Sequence, residues 1–221
     1  MRTRARRLAG GIMLLLTAQY FVAELVAAAA WSRVPYSFVA NYISDLGVPE
    51  CEVLPERVVC SPAHAVMNTG FVLQGVLLLG ATWLLARELA RGWRWVVGIL
   101  GHVFALGIVI VGLFPGSIAE ELGGDPVRSA MHGLGALLAI GGGALLVTAT
   151  SIALLLAGRR LVGAVIGALA AADWLGIVLF LQHDVATIGA TERLAVWPTT
   201  IAFVVLGVAT LVLRARDRSP G

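Results

Sequence analysis

The chain has 221 residues, of which 59% are hydrophobic and only 13% are charged, and its formal net charge is +3 at pH 7. A soluble domain of this size carries roughly a quarter charged residues to cover its water-facing surface. The composition therefore excludes an ordinary soluble protein and indicates that lipid is the solvent.

Six apolar segments follow one another along the chain. A helix needs about 20 apolar residues to cross a bilayer, and the segments of that length cover residues 8–31, 63–86, 95–114, 131–157, 161–181 and 196–213. Their apolarity is continuous, whereas barrel strands would show a polar residue at every second position. The sequence predicts an all-α, polytopic membrane protein, with six transmembrane helices in one bundle and a single domain over residues 1–221.

The positions of the arginines predict the orientation of these spans. Twelve Arg residues flank one set of span ends, and four lie on the opposite side. Because basic residues accumulate on the cytoplasmic side, both termini are predicted to be cytoplasmic in a multi-pass protein of the cell membrane. The basic charge then reflects topology and contact with anionic lipids, and nucleic acid is not expected as a partner.

The first span also has features of a secretory signal peptide, namely a basic start and the alanines of residues 27–30. Its apolar stretch is longer than a usual signal sequence, and it contains Glu24. We therefore interpret it as a retained helix.

Cys51 and Cys60 are the two cysteines, and both fall in the first outer loop. The outer face of a cell membrane is oxidising, so a disulfide between them is the favoured interpretation. Two free thiols are the alternative. A metal pair is disfavoured.

The same loop contains a segment, residues 35–47, that starts with Pro35 and ends with Gly47. Proline at the start and glycine at the end are typical of a helix. At helical spacing Asn41, Ser44 and Asp45 share one face, so the segment predicts a short interfacial helix with its polar face towards the bundle.

Polar residues from several segments lie near the outer boundary of the predicted membrane. This layer comprises Glu24, Asn41, Ser44, Asp45, Ser61, His64, Asn68, His132, His183, Asp184, Glu192 and Arg193. Ionisable groups inside lipid need a partner or a function, so the layer predicts a shared polar pocket. A purely structural role in helix packing is the alternative.

A second, deeper layer comprises Gln74, His102 and Asp173. Counting residues from the membrane boundaries puts Gln74 and His102 at similar depth. A hydrogen bond from His102 to Asp173 or to Gln74 would satisfy these groups, and helix packing is their favoured role.

Five sequence elements resemble a known family. They are Asn41-Tyr42-Ile43-Ser44-Asp45-Leu46-Gly47, residues 60–68 with Ser61, Pro62, His64 and Asn68, Gly112-Leu113-Phe114-Pro115, His132-Gly133-Leu134-Gly135-Ala136, and Glu192-Arg193-Leu194. This pattern resembles the six-helix bacterial and archaeal membrane family known as domain of unknown function 998, over about residues 8–213. The resemblance implies that Asn41, Ser44, Asp45, His64, Asn68, His132, Glu192 and Arg193 are characteristic residues, and it implies no activity.

An enzymatic hypothesis assigns chemistry to this layer at the outer leaflet, as a membrane-embedded hydrolase or transferase. His64, His132 and Asp45 would ligate Zn²⁺ or supply the base, which resembles ceramidase-like intramembrane hydrolases. Ser44 would donate a hydrogen bond to an oxyanion, with Asn41, Asn68, Glu192 and Arg193 binding the ligand. No His-Glu-x-x-His pair supports a metal, and a metal-free variant would use His64 or His132 as general base, with Asp45 orienting the ring.

The other hypotheses are binding and transport. An outward-facing polar pocket would bind a lipid headgroup or another small amphiphile, with membrane lipids as partners. A small-molecule transporter would be expected to show internal repeats, and none is evident in the sequence. An accessory protein whose polar cluster is structural is the third alternative.

Overall fold

The computed structural model describes residues 2–31, 35–53, 58–116 and 125–216. Within these ranges the helices are α1 (Arg2–Leu16), α2 (Gln19–Ala29), α3 (His64–Leu85), α4 (Arg91–Leu113), α5 (Pro126–Leu156), α6 (Arg160–Leu181) and α7 (Ile188–Arg216). Six spans are long and apolar enough to cross a membrane, α1 and α2 together forming the first. The predicted all-α, six-span membrane bundle is confirmed.

The first span is divided because its backbone tightens at Thr17. The buried Thr17 hydroxyl donates to the Leu14 carbonyl oxygen, and the Tyr20 amide donates to the Thr17 carbonyl oxygen three residues back. Such i to i−3 bonds replace the α-helical pattern locally. Hydropathy alone shows one continuous apolar segment here.

Consecutive spans pack side by side, and α1 contacts both α3 and α7, which closes the bundle. Small residues allow the closest approaches. A Cβ atom at Gly107 of α4 would lie 2.5 Å from the Ala139 amide nitrogen of α5. The two backbones are therefore in direct contact, as is common where glycine lines a helix interface in membranes.

Helices α5 and α7 begin five and eight residues before the predicted spans. For α5 the local signal is clear, since Asp125 caps the helix by accepting the Arg128 amide and Pro126 occupies the first turn. For α7 the extension has a consequence for the site. Glu192 and Arg193, expected just before the sixth span, lie inside its helix.

The first long loop contains less helix than expected. Among its described residues, 35–53 and 58–62, only Ser44–Gly47 is helical, as a single 3₁₀ turn. Side chains of the loop bond to nearby backbone amides and compete with a regular helix. The loop also forms an unpredicted hairpin, β1 (Cys51–Val53) antiparallel to β2 (Val58–Cys60). Cys51 and Cys60 face each other in that register and form the predicted disulfide.

We call the two ends of the bundle the hairpin end, which carries β1 and β2, and the arginine end. The arginine end carries Arg7, Arg87, Arg91, Arg94, Arg159 and Arg160, together with the 3₁₀ turn Ala86–Glu88. Arg33 and Arg57, assigned from the sequence to the opposite side, lie outside the described residues.

Candidate functional site

A buried polar cluster surrounds Arg193 at the hairpin end, and we call it the arginine anchor. The Arg193 Nε donates to Glu24 Oε1 at 2.9 Å, and the side chains are 5% and 1% exposed, respectively. Trp197 Nε1 donates to the second Glu24 oxygen at 2.9 Å. The buried ion pair thus has further hydrogen bonds, which a desolvated charge pair requires.

The rest of the guanidinium holds the loop. Arg193 Nη1 donates to the carbonyl oxygens of Phe38, Asn41 and Gly189 at 2.8, 3.0 and 2.8 Å. At Gly189 a Cβ atom would lie 2.1 Å from the Asn41 carbonyl oxygen, so only glycine allows the loop to approach α7 this closely. The anchor therefore ties residues 38–41 to the start of α7.

Aromatic rings cover the anchor. The guanidinium carbon of Arg193 lies 4.8 Å from the Phe38 ring centroid and 5.4 Å from that of Tyr36. Arg193 Nη2 also donates to the Tyr36 hydroxyl, which itself donates to the Tyr42 carbonyl oxygen at 2.8 Å. Burial raises the pKa of Tyr36 above its usual value, against the opposing effect of Arg193, so the phenol stays protonated and remains a donor.

Asn41 and Asp45 form hydrogen bonds within the loop. Asn41 Nδ2 donates to Asp45 Oδ2 at 3.2 Å and to the Val58 carbonyl oxygen of β2 at 3.1 Å. Asp45 Oδ2 also accepts the Tyr42 amide. Both side chains are buried, and their contacts give them a role in positioning the loop and its hairpin.

His64 and Asn68 connect the loop to the start of α3. His64 Nδ1 lies 3.0 Å from the Ser61 carbonyl oxygen, and Asn68 Nδ2 donates to the Gly47 carbonyl oxygen at 2.9 Å. Ser61 in turn donates to the Leu46 carbonyl oxygen. These bonds fix the 3₁₀ turn against α3.

A cavity of about 50 Å³ lies beneath this turn, and we call it the hairpin-end cavity. Its polar lining brings together three residues of the predicted pocket and adds others from the bundle interior. The polar lining residues are Tyr20, Ser44, Gln74, His132, Glu192, Thr199 and Thr200. His64, Asp45, Asn41, Asn68 and Arg193 do not line it, so the structure divides the predicted pocket into a cavity and its supporting loop.

Two of the lining residues are oriented by backbone groups. His132 Nδ1 lies 2.8 Å from the Phe114 carbonyl oxygen, which can only accept, so this nitrogen carries the proton. Glu192 Oε2 accepts the Ile43 amide. The second ring nitrogen of His132 is therefore the one available to a ligand.

Gln74 is the lining residue that the sequence interpretation assigned to a different environment. It is fully buried, and its Nε2 donates to the Thr200 hydroxyl at 3.2 Å. Its Oε1 has no hydrogen-bond partner among the described residues. Depth counting had detected Gln74 but had grouped it with His102.

The expected His102 bonds to Asp173 or Gln74 are absent from the described residues, so that prediction is wrong. His102 is exposed on α4, and its Nδ1 lies 2.7 Å from the Gly98 carbonyl oxygen one turn earlier. Asp173 accepts instead from the Thr199 hydroxyl at 2.7 Å and from the Thr199 amide at 3.1 Å. Residues at equal depth in the membrane can thus lie on helix faces that point in different directions.

The proposed zinc ligands His64, His132 and Asp45 do not form a metal site. Across the described ranges, no group of three or more His, Cys, Asp or Glu side chains could hold a metal ion. Asp45 is turned to the loop backbone, His64 to Ser61 and His132 to Phe114.

Comparison with known proteins identifies the family and gives no further relative. Searches of curated proteins and of solved structures found no match. A family model matches residues 6–210, nearly the whole bundle. The chain therefore belongs to the family described as protein of unknown function DUF998.

Proposed function

We propose that this chain is an integral protein of the cell membrane whose hairpin-end cavity binds the polar group of a lipid or another small amphiphile. The observation that carries the proposal is Gln74 Oε1, a fully buried acceptor that lines the cavity without a partner in the described chain. An unpaired buried polar atom costs about 1–3 kcal/mol, and a hydroxyl, amine or amide donor of a ligand would satisfy it.

The composition of the cavity supports an amphiphile over a purely polar ligand. Ser44, His132 and Glu192 line its polar side, whereas Phe71, Phe104 and Ile108 supply apolar surface. At about 50 Å³ the cavity accommodates a small polar group, since one liquid water occupies about 30 Å³. The carbons next to that polar group would contact the apolar residues, and the rest of the alkyl part would remain outside.

Binding is favoured over turnover by the positions of Ser44 and His132. Both line the cavity, but no hydrogen bond joins them, and each candidate nucleophile needs a base within hydrogen-bond reach. Modification of the ligand is therefore the second candidate, supported by the two residues sharing one cavity. Transport and an accessory role lack a specific contact in their favour.

The orientation belongs to the same proposal. Twelve arginines against four favour a cytoplasmic arginine end with both termini inside the cell. The disulfide at the hairpin end is consistent with an oxidising exterior. The cavity would then be reached from the outer leaflet.

A matched pair of glutamine variants tests the proposal. The protein is reconstituted in nanodiscs containing a bacterial polar lipid extract, and retained lipids are measured by native mass spectrometry. We expect Gln74→Leu to reduce the main adduct about tenfold, because a hydrogen bond to a buried group contributes on the order of 1.5 kcal/mol. Gln19→Leu is the control, since Gln19 bonds the Gly70 carbonyl oxygen away from the cavity.

Equal adducts in both variants, or no adduct on the wild-type protein, would contradict the proposal. Retained binding with altered lipid products over time would instead support the second candidate, modification.

A further inference from the structure

A second and larger cavity lies at the arginine end of the bundle. It measures about 150 Å³, and its walls include Leu78, Leu85, Leu146, Leu154, Phe203 and Leu206. A protein cavity of this size with apolar walls stays dry and can hold a six-carbon apolar molecule. Thr82, Thr150 and Thr210 also line the cavity, but its walls are mostly apolar and suit a segment of hydrocarbon.

Two aromatic rings lie between this cavity and the hairpin-end cavity. Phe203 lines it, and the Phe203 ring lies 5.3 Å from that of Phe104, measured between centroids, in an edge-to-face contact. Phe104 lines the hairpin-end cavity on the other side of this pair. The ring pair therefore separates the two cavities.

The opposite end of the cavity is charged. Arg7, Glu88 and Arg159 are part of its lining. Arg7 Nη2 lies 2.7 Å from Glu88 Oε2, so these two charges compensate each other. Arg159 is exposed, and no acidic side chain of the described chain pairs with it. The guanidinium of Arg159 therefore has unused donors at the mouth of this cavity.

We infer that the arginine-end cavity binds the alkyl chain of an anionic amphiphile whose carboxylate or phosphate is held by Arg159. About six carbons of an alkyl chain would lie between the mostly apolar walls, and the rest of a longer chain would lie among the acyl chains of the membrane. The anionic group would meet a guanidinium whose planar donors match both carboxylate and phosphate. This site is distinct from the hairpin-end cavity, and the inference goes beyond the proposed function. The anion could belong to a free fatty acid or to a phospholipid of the adjoining leaflet.

Adjacent arginines provide the test. Binding of radiolabelled dodecanoate to the full chain in phosphatidylcholine nanodiscs is measured over empty nanodiscs. We expect Arg159→Gln to raise the Kd about fivefold, the upper range for an exposed charge pair. Arg160→Gln should leave it unchanged, because Arg160 is also exposed but does not line the cavity. Dodecanol should bind the wild type and both variants alike.

Filling the arginine-end cavity with a larger side chain tests whether it holds the alkyl chain. Ala209 lines the cavity, so Ala209→Phe should abolish binding of both dodecanoate and dodecanol. Gln74→Leu should not alter dodecanoate binding, which separates this site from the hairpin-end cavity. If Ala209→Phe does not fold, the comparison of the two arginine variants still decides the matter.

The source of the chain is distinguished with phosphatidylglycerol nanodiscs and native mass spectrometry. Phosphatidylglycerol retained by the wild type and lost in Arg159→Gln indicates a leaflet phospholipid, and dodecanoate binding alone indicates a free fatty acid. The inference is overturned if the wild type binds neither, if Arg159→Gln and Arg160→Gln behave alike, or if folded Ala209→Phe binds dodecanoate normally.

Discussion

At the scale of single residues, Arg193 makes the contacts that hold the hairpin end together. Its guanidinium reaches Glu24 on α2, Tyr36 and two carbonyl oxygens in the loop, and Gly189 on its own helix. Removing one member of a buried pair leaves an uncompensated charge, which costs about 3–5 kcal/mol in soluble proteins. The pair should therefore dominate the stability of this end.

Two glutamate variants with different exposure test this expectation. Glu24→Gln should lower the free energy of unfolding by on the order of 3 kcal/mol, because it leaves the Arg193 charge buried without its counter-ion. Glu50→Gln should change it by less than about 1 kcal/mol, since the Glu50 side chain is 41% exposed in its pair with Arg128. Denaturation in mixed micelles measures both, and equal losses would contradict the assignment.

At the scale of elements, α6 and α7 are joined by two hydrogen bonds next to a proline. Pro198 lies inside α7 and has no amide hydrogen to donate. The next residue, Thr199, gives both its amide and its hydroxyl to Asp173 of α6. The backbone amide that follows the proline thus donates to the neighbouring helix.

Variants at Asp173 should separate hydrogen bonding from charge. Asp173→Leu should cost about 1–3 kcal/mol, since it leaves a buried donor unsatisfied. Asp173→Asn should cost much less, because its Oδ1 can accept the Thr199 amide and its Nδ2 can donate to the Thr199 hydroxyl. Trp174→Phe is the control, because the adjacent, exposed Trp174 loses one bond to Thr148. Thermal unfolding in detergent gives the ranking. Asparagine behaving like leucine would show that the charge is what matters.

The elements themselves were largely predictable, and their ends were not. Long apolar runs identify all six spans, because crossing lipid demands continuous apolarity. The first turns of α7 are polar and do not meet that criterion, so the sequence did not predict that Glu192 and Arg193 lie inside this helix. The Ser44–Gly47 turn and the hairpin depend on side-chain to backbone bonds between distant residues, such as Asn41 to Val58, which local patterns do not encode.

Across the whole molecule, the disulfide and the arginines mark opposite ends of the bundle. The proposed orientation exposes Cys51 and Cys60 outside the cell. In intact cells, an impermeant phosphine followed by an impermeant maleimide should label both. As the control, Ala157→Cys in a Cys51→Ser, Cys60→Ser background should react only after permeabilisation, since residue 157 lies at the arginine end. The reverse pattern would invert the topology.

Part of the lining of the hairpin-end cavity was predictable from the sequence. Ser44, His132 and Glu192 were expected to share a pocket, and they line one cavity. His64 and Asp45 were expected beside them, but their side chains bond to the loop. Sequence gives the depth of a residue in a helix, whereas the partner it faces depends on helix rotation. Gln74 is an example: it was expected to bond His102 at the same depth, and it bonds Thr200 instead.

The way in which Arg193 holds the loop has a consequence for how freely this protein can vary. Its partners at positions 38, 41 and 189 are carbonyl oxygens of the main chain, and every amino acid supplies one. Substitutions at position 38 can therefore retain this tether, provided that the backbone keeps its path. Position 189, in contrast, has no room for a side chain larger than the hydrogen atom of glycine.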